Sequence, residues 1–177
     1  MSKSDSNCAN ADTSNAAQLI SAAGVDSNII DQAQKSEFNY LSLGNLGHVA
    51  IATNDAEKQK MFYQTVLGIK PEQITESNSP KFGMKIVFIK LPNIYIELIE
   101  PLQNSGTVYD FLQKNPNGGL HHICILVKDI KEAVETARKH NVRTLTEIRT
   151  GVYGKSVVTL NPEDCFGVPV ELEQAEE

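Results

Sequence analysis

Cysteine is scarce in this sequence, which contains only Cys8, Cys124 and Cys165. Three is an odd number and the spacing is not that of metal ligands, which is typical of a reducing compartment and argues against a disulfide scaffold. Long apolar segments are also missing. The longest, such as residues 86–89 and 94–99, are strand-sized, whereas a membrane-spanning helix needs ~20 apolar residues. The sequence therefore predicts no membrane span.

Positive charge is in the minority as well. Lys and Arg number 16 against 22 Asp and Glu, which gives a formal net charge of -6. A nucleic-acid-binding surface needs clustered basic residues, so this balance argues against nucleic acid as a partner. Hydrophobic residues make up 41% of the 177 residues. This is enough for one domain, or for two small halves that share a sheet.

Arginine is absent from residues 1–42, which are rich in Ser, Asn, Ala and Asp. We interpret this segment as a flexible N-terminal extension, because its scattered apolar residues cannot form a core. A mitochondrial transit peptide is Arg-rich and poor in acidic residues. The acidic residues of this segment are Asp5, Asp12, Asp26, Asp31 and Glu37. Its composition therefore argues against a transit peptide.

From Leu43 onward, strand-like and helix-like segments alternate. LGHVAIAT and HHICILVK are typical of short strands, and an Asp-capped amphipathic helix is predicted after each, over Asp55–Leu67 and Asp129–His140. A weak strand and two stronger ones are expected after each helix, and a helix over Thr107–Lys114 links the two halves. The stronger strands are predicted at Lys85–Lys90, Ile94–Glu100, Ser156–Leu160 and Val168–Glu173.

The two halves repeat residues at a constant offset of 74 positions. Five matches at one offset indicate an internal duplication. The sequence thus predicts an α+β fold of two βαβββ modules, about residues 43–105 and 117–175, within a domain that spans residues 43–177. The offset relates His48 to His122, Ile51 to Ile125, Asp55 to Asp129, Glu97 to Glu171 and Leu98 to Leu172.

The repeated polar residues share one face of the predicted sheet. Strand alternation places His48, His122, Glu97 and Glu171 opposite apolar neighbours, so the apolar face would pack against the helices and the polar face would line a cup. A carboxylate on such a semi-enclosed face is costly unless it is paired or coordinated. Two His and two Glu predict a site for one divalent metal ion, such as Co, Mn, Ni or Zn.

Other candidate residues are left out of this site. By alternation His121 faces the helices, as a hydrogen-bonded core or edge residue. His140 lies near a predicted helix C-terminus, where the helix dipole and solvent explain it. Cys124 lies in an apolar run and is predicted to be a buried structural thiol, whereas Cys165 lies in a predicted loop.

With His on the first strand and Glu on the last, present twice, the modules resemble the vicinal-oxygen-chelate superfamily, alongside glyoxalase I and the extradiol dioxygenases. Within it, the strings GHVAIA, FYQTVLG, ELIEPL, FLQKNPNGGLHHICI, GKSVV, PEDC and GVPVELEQ are similar to the methylmalonyl-CoA epimerase family. The similarity covers about Leu43 to Gln174. It implies a cup-shaped mixed sheet, usually in a homodimer, and interconversion of (2R)- and (2S)-methylmalonyl-CoA in propionate metabolism.

The resemblance also implies site residues. It carries the metal ligands over to His48, His122 and Glu171, with a fourth position, Gln or Glu in relatives, at Glu97. The substrate would be a CoA thioester, chelated as its enediolate after loss of the α-proton, with Glu171 and Glu97 as candidate bases. The family implies a mitochondrial location in animals and a cytoplasmic one in bacteria. Mitochondrial is the expectation here.

Two departures from the family pattern bear on function. Some bacterial relatives carry a Glu, proposed as a base, where this chain has Ile86, so the base is unassigned. In the PEDC loop, Asn161 and Glu163 replace a common His and Lys, and Phe166 replaces a small residue. Glu163 weakens a role for this loop in binding CoA phosphates.

Two alternatives remain open. One is another metal enzyme of the same fold, such as a glyoxalase I-like lyase or a ring-cleaving dioxygenase, although GGLHHIC and VELEQ favour the epimerase. The other is a protein that sequesters a small molecule. Ile86 favours sequestration, which needs no base, whereas Glu97 and Glu171 argue against it.

Overall fold

The computed structural model describes residues 43–176, so the predicted flexible extension, residues 1–42, lies outside the described residues. The described part contains three α-helices: α1 Ala56–Thr65, α2 Thr107–Lys114 and α3 Ile130–Lys139. Its strands are β1 Leu43–Ala52, β2 Ile74–Ser79, β3 Met84–Lys90, β4 Tyr95–Pro101, β5 Gly119–Val127, β6 Arg149–Thr150, β7 Ser156–Leu160 and β8 Val170–Gln174.

The helices begin where the sequence predicts. The Asp55 carboxylate accepts a hydrogen bond from the Lys58 backbone N–H at 2.8 Å, which caps α1. Asp129 caps α3 in the same way, through the backbone N–H groups of Lys131 and Glu132. These side-chain acceptors satisfy donors that a helix N-terminus leaves without intrahelical partners. The predicted linking helix has the observed bounds of α2, and His140 is the C-cap of α3.

The strands form one mixed sheet in the order β2-β3-β4-β1-β5-β8-β7-β6. The central pair, β1 and β5, is antiparallel, whereas β1 pairs in parallel with β4 and β5 pairs in parallel with β8. Each half is therefore β-α-β-β-β, and the halves are related about the β1–β5 pair. The predicted α+β fold, a curled sheet built from two βαβββ modules, is confirmed.

The convex and concave faces of the sheet differ as expected. Ile51 and Leu98 pack in the cluster that contains the buried face of α1. Ile125 and Leu172 pack against α3. These are the apolar residues that alternate with the repeated polar ones, so their predicted packing against helices is confirmed.

A third cluster lies on the cup side and was not predicted. There α2 covers one end of the first module, where Val108 and Leu112 pack on Ala50, Ile86 and Ile99. These apolar residues hold α2 against the cup face of the first module, and Ile99 and Val108 also line the cavity.

The two described cysteines are free thiols. Cys124 is fully buried, as predicted, and Cys165 is partly buried against the α3 cluster. Among residues 43–176, no helix is long and apolar enough to cross a membrane.

Candidate active site

The four repeated polar residues converge in the cup. His48 on β1 and His122 on β5 point their rings toward each other, with the two Nε2 atoms 3.2 Å apart. Glu97 on β4 places Oε2 at 3.3 Å from His48 Nε2 and 3.7 Å from His122 Nε2. Glu171 on β8 places Oε1 at 3.9 Å from both Nε2 atoms. We call these four residues the His–Glu cluster.

The His–Glu cluster lies in a cavity of about 580 Å³. His48 and Glu97 are only 8% and 6% exposed. The cavity is bordered by α2 on one side and by the segment that joins β6 to β7 on the other, through residues such as Phe111, Arg149 and Tyr153. Partial exclusion of water strengthens every electrostatic interaction inside the cup.

The donor set fits a divalent metal ion. Two ligand atoms bound at about 2.1 Å to one ion lie roughly 3.0 to 3.4 Å apart. The His48–His122 and His48–Glu97 separations match this range, at 3.2 and 3.3 Å, whereas the Glu171 oxygen is farther away, at 3.9 Å. His48, Glu97 and His122 have ligand atoms that all lie within 4.8 Å of one another. Imidazole with carboxylate suits borderline ions such as Zn, Co and Ni.

Cys124 offers a competing donor, because its sulfur lies within 4.8 Å of ligand atoms of His48 and Glu171. Burial raises the pKa of the Cys124 thiol far above its usual range, and the negative charge of Glu171 raises it further. A thiol binds metal as the thiolate. Both sets meet the same distance criterion, so the His–Glu cluster is favoured only by its donor chemistry, two imidazoles and a carboxylate against a set that includes a protonated thiol.

The pKa values of the two histidines in the cluster are shifted in opposite directions. Burial lowers the pKa of His48, but the hydrogen bond and charge of Glu97, together with Glu171, raise it above its ordinary value overall. The pKa of His122 is lowered to about 3, first by burial and then by His121, His48 and Arg149. His122 is therefore neutral at physiological pH, which is the form that binds metal.

The pKa of the Glu171 carboxyl is shifted upward in the metal-free cavity. Burial is the main cause that raises the pKa of its carboxyl to about 7, and nearby Glu97 adds to the rise while His48 and Arg149 oppose it. Its second oxygen, Oε2, lies 4.0 Å from Arg149 Nη2. A carboxyl that titrates near neutral pH can both accept and return a proton.

Aromatic rings form one wall of the site. The ring of Phe88 on β3 meets His48 edge-on, with centroids 5.7 Å apart. Tyr153, between β6 and β7, meets Phe88 at 5.0 Å. Tyr153 therefore joins the second module to the first beside the His–Glu cluster. Neither ring was predicted as part of the site, and the turn that carries Tyr153 has no periodic pattern from which to predict its position.

Glu173 is a further cavity residue that was missed. It lies two residues after Glu171 on β8, and its carboxylate is 3.3 Å from Lys155 Nζ. Strand alternation from Glu171 would have placed it on the cup face.

The predicted orientation of His121 is wrong. On β1 the pairing advances one residue, from Ala50 to Ile51, while on β5 it moves from His122 to Leu120. His121 is thus the extra residue of a β-bulge, and bulges interrupt side-chain alternation. As a result His121 lines the same cavity as His122 instead of facing the helices.

Position 86, the first departure from the family pattern, holds Ile86 and therefore no proton acceptor. Ile86 is fully buried in the cluster beneath α2. Its neighbour Lys85 is engaged elsewhere, with Nζ 2.7 Å from a Glu57 oxygen. Glu97 and Glu171 remain the carboxylates of the described chain that lie directly against the two histidines.

Two of the departures in the PEDC loop, Asn161 and Glu163, lie at an ion-pair cluster. Arg143 Nη2 lies 2.8 Å from Glu163 Oε2 and 2.8 Å from Asp164 Oδ1. The Asn161 side chain accepts a hydrogen bond from the Glu163 backbone N–H. Glu163 is thus paired with a cation of its own chain.

Comparison with known proteins decides the family. The pattern of the Glyoxalase/Bleomycin resistance protein/Dioxygenase superfamily matches residues 47–159. The mitochondrial methylmalonyl-CoA epimerase of Homo sapiens is 45% identical over 148 residues, which cover 82% of this chain and 81% of that protein. The chain belongs to the methylmalonyl-CoA epimerase family.

Bacterial members of the methylmalonyl-CoA epimerase family are also similar to this chain, in sequence and in structure. The ethylmalonyl-CoA/methylmalonyl-CoA epimerase of Cereibacter sphaeroides is 42% identical over 134 residues, covering 75% of this chain and 98% of that protein. A variant of the Streptomyces coelicolor methylmalonyl-CoA epimerase, in complex with 2-nitronate-propionyl-CoA, has a TM-score of 0.69 and 28% identity, covering 76% of this chain and 96% of that chain. The predicted family and enzyme class are confirmed.

Proposed function

We propose that this chain interconverts (2R)- and (2S)-methylmalonyl-CoA with the help of one divalent metal ion. The observation that carries the proposal is the His–Glu cluster, which places one His and one Glu from each module in a single cavity. The 45% identity to a relative named for this activity supports the substrate. The CoA ligand in the Streptomyces coelicolor complex supports a CoA thioester as the partner.

The ligands of the ion would be His48, Glu97, His122 and Glu171. When bound, the ion supplies an electrophile that stabilises the negative charge developing on the thioester and carboxylate oxygens as the α-proton leaves. We propose cobalt as the ion, with Mn, Ni or Zn as alternatives of similar ligand preference.

Proton transfer falls to the two carboxylates. An epimerase must remove the α-proton from one face of the carbon and return it to the other. Glu97 on β4 and Glu171 on β8 approach from opposite sides of the central β1–β5 pair. We propose that each serves one face of the α-carbon.

The biological setting follows the relatives. We propose a homodimer that acts in propionate metabolism. We also propose a mitochondrial location, because three animal relatives between 43% and 45% identical carry that location in their names. A cytoplasmic location is the alternative, given the similarity to a bacterial enzyme.

One assay tests the proposed activity. The purified protein is stripped of metal, supplied with Co, and incubated with racemic methylmalonyl-CoA in deuterated water. Deuterium should enter the α-position much faster than in buffer. The absence of any exchange above the buffer rate would refute the epimerase.

Two variants give the assay its controls. His122→Ala should abolish exchange, whereas His140→Ala, at the C-cap of α3, should retain it. Full exchange by the His122 variant would overturn the metal site.

Buried Ile86 favours a second candidate, a protein that sequesters a small molecule. That candidate predicts tight CoA-thioester binding without exchange.

A further inference from the structure

His121 lies directly behind a predicted metal ligand. Its Nδ1 atom is 2.8 Å from Nδ1 of His122, the next residue in the chain. Neighbouring strand residues normally point to opposite faces, so this contact exists only because the bulge in β5 turns His121 back toward the cup. The His121 ring is held in turn by the edge of Phe111 on α2, at 5.3 Å between centroids.

The direction of this hydrogen bond follows from the neighbouring contacts. His48 Nε2 lies 3.3 Å from Glu97 Oε2 and 3.2 Å from His122 Nε2. A carboxylate accepts hydrogen bonds and cannot donate them when ionised. In the metal-free protein His48 Nε2 therefore carries the proton in this contact, and His122 Nε2 is an acceptor. A metal ion held by both nitrogens would take the place of this proton.

The remaining proton of His122 is then fixed. A neutral imidazole carries one proton, so an acceptor at Nε2 requires N–H at Nδ1. This N–H donates to His121 Nδ1, which must itself be unprotonated. His121 then carries its proton on Nε2, and the Thr107 backbone is a hydrogen-bond partner of this ring.

The opposite arrangement fails at one contact. If His121 Nδ1 donated to His122, the proton of His122 would lie on Nε2 and point at His48 Nε2. The lone pair of His48 Nε2 would then face the Glu97 carboxylate at 3.3 Å. Two acceptors at that distance in a buried site repel each other.

We propose that His121 is a positioning residue, which accepts the Nδ1 proton of His122 and so presents the Nε2 lone pair of His122 to the metal. The proposal rests on the proposed function for the identity of the ligand. Metal-binding histidines commonly donate their other N–H to a partner that fixes the tautomer, and loss of this partner costs about 10- to 100-fold in metal affinity. Here the partner is a second histidine, tied to α2 through Phe111 and Thr107.

The first test needs no metal. In the metal-free full-length protein, ¹⁵N NMR of the histidine side chains reports which nitrogen of each ring is protonated. We expect Nδ1–H for His122 and Nε2–H for His121. A proton on Nε2 of His122 would overturn the proposal, whether or not the protein proves to be an epimerase.

The second test uses two substitutions of equal shape. Asn places an oxygen acceptor close to where His has Nδ1, whereas Leu places a methyl group there. His121→Leu should lower the affinity for Co by about 10- to 100-fold, and His121→Asn should stay within a few-fold of wild type. Affinity is measured by competition with a chelator, and thermal unfolding of the metal-free proteins checks that the fold is retained.

The outcomes distinguish failure of the proposed role of His121 from failure of the proposed metal site. Equal Co affinity in the Leu and Asn variants would overturn the role of His121. Failure of the wild-type protein to bind any divalent ion would refute the proposed metal instead, while the tautomer measurement would still decide on the His121–His122 hydrogen bond. If His121→Leu does not fold, the Asn variant and the wild-type spectrum decide the question.

Discussion

The Nε2 atoms of His48 and His122 meet at 3.2 Å across the central antiparallel pair of strands. His48 pairs with Cys124 and Ala50 pairs with His122, so the two rings are diagonal neighbours that lean toward each other. Because each module adds a Glu from the strand parallel to its His strand, the pair becomes a four-residue cluster.

The first prediction separates the two possible donor sets. Cys124→Ala should leave Co affinity within about threefold of wild type, because the buried thiol is held far from its thiolate form. His122→Ala should abolish tight binding. Titration followed by visible absorption measures both, and the Co-loaded wild type should lack a sulfur-to-metal charge-transfer band. Such a band, lost in the Cys124 variant, would show that Cys124 is a ligand.

The second prediction concerns the two carboxylates. Glu97→Gln and Glu171→Gln keep an oxygen donor but lose the proton acceptor. Each variant should lose about 10²- to 10⁴-fold in α-hydrogen exchange from one epimer, and the two should fail with opposite epimers. Exchange is measured in deuterated water with each pure epimer. Equal losses with both epimers in both variants would contradict the assignment of one carboxylate to each face.

The third prediction concerns the turn before β5. Gly118 has φ +75, and a Cβ there would lie 2.5 Å from the Ala52 carbonyl oxygen. Gly68 has a similar φ of +71 with nothing within 4 Å. Left-handed backbone costs a non-glycine residue about 1–2 kcal/mol. Gly118→Ala should add a steric clash to this cost, whereas Gly68→Ala should show the backbone cost alone.

Urea unfolding compares the two glycine variants. The free energy of unfolding should fall by about 1 kcal/mol for Gly68→Ala and by about 3 kcal/mol or more for Gly118→Ala, since backbone atoms cannot move aside cheaply. Equal losses would show that β1 and this turn shift to accept the methyl group.

Much of the fold was predictable because its signals are local. Asp55 and Asp129 each mark a helix start through their own side chain, and the 74-residue offset requires no knowledge of contacts. The same offset brought together all four members of the His–Glu cluster. Alternation along a regular strand was enough to put Glu97 and Glu171 on the cup face.

The features of the site that could not be predicted depend on contacts between segments that are distant in the sequence. His121 turns into the cup because β5 carries one more residue than β1 at that point, and the mismatch is visible only once the strands are paired. Tyr153 reaches Phe88 across the modules from a turn with no periodicity. Glu173, in contrast, was accessible to the alternation argument that found Glu171.

The fourth prediction is a pH dependence at the PEDC loop. The pKa of Asp164 is lowered to about 2, because the Arg143 side chain and then its backbone N–H donate hydrogen bonds to this carboxylate. A carboxyl with a lower pKa in the folded state contributes stability above its ordinary value of 3.8, and loses it as the pH falls toward 2. Asp164→Asn should therefore destabilise the protein at neutral pH.

The difference between Asp164→Asn and wild type should shrink between about pH 4 and pH 2 as the wild-type carboxylate becomes protonated. Urea unfolding at stepped pH measures this difference. Glu163→Gln is the control, because it removes a more exposed partner of the same guanidinium and should have a smaller effect. A difference that does not change with pH would contradict the ion pair as its source.

The last prediction concerns Phe166, where the family resemblance expects a small residue. Its φ of 56 lies in the left-handed region, and its side chain is 102% exposed, so no packing offsets the backbone cost. Phe166→Gly should raise the free energy of unfolding by about 0.5–1 kcal/mol, because glycine adopts this conformation freely but loses more entropy on folding. Phe166→Ala, which keeps the Cβ, should change it little. If both variants stabilise equally, removal of the exposed ring, and not relief of the backbone, is the cause.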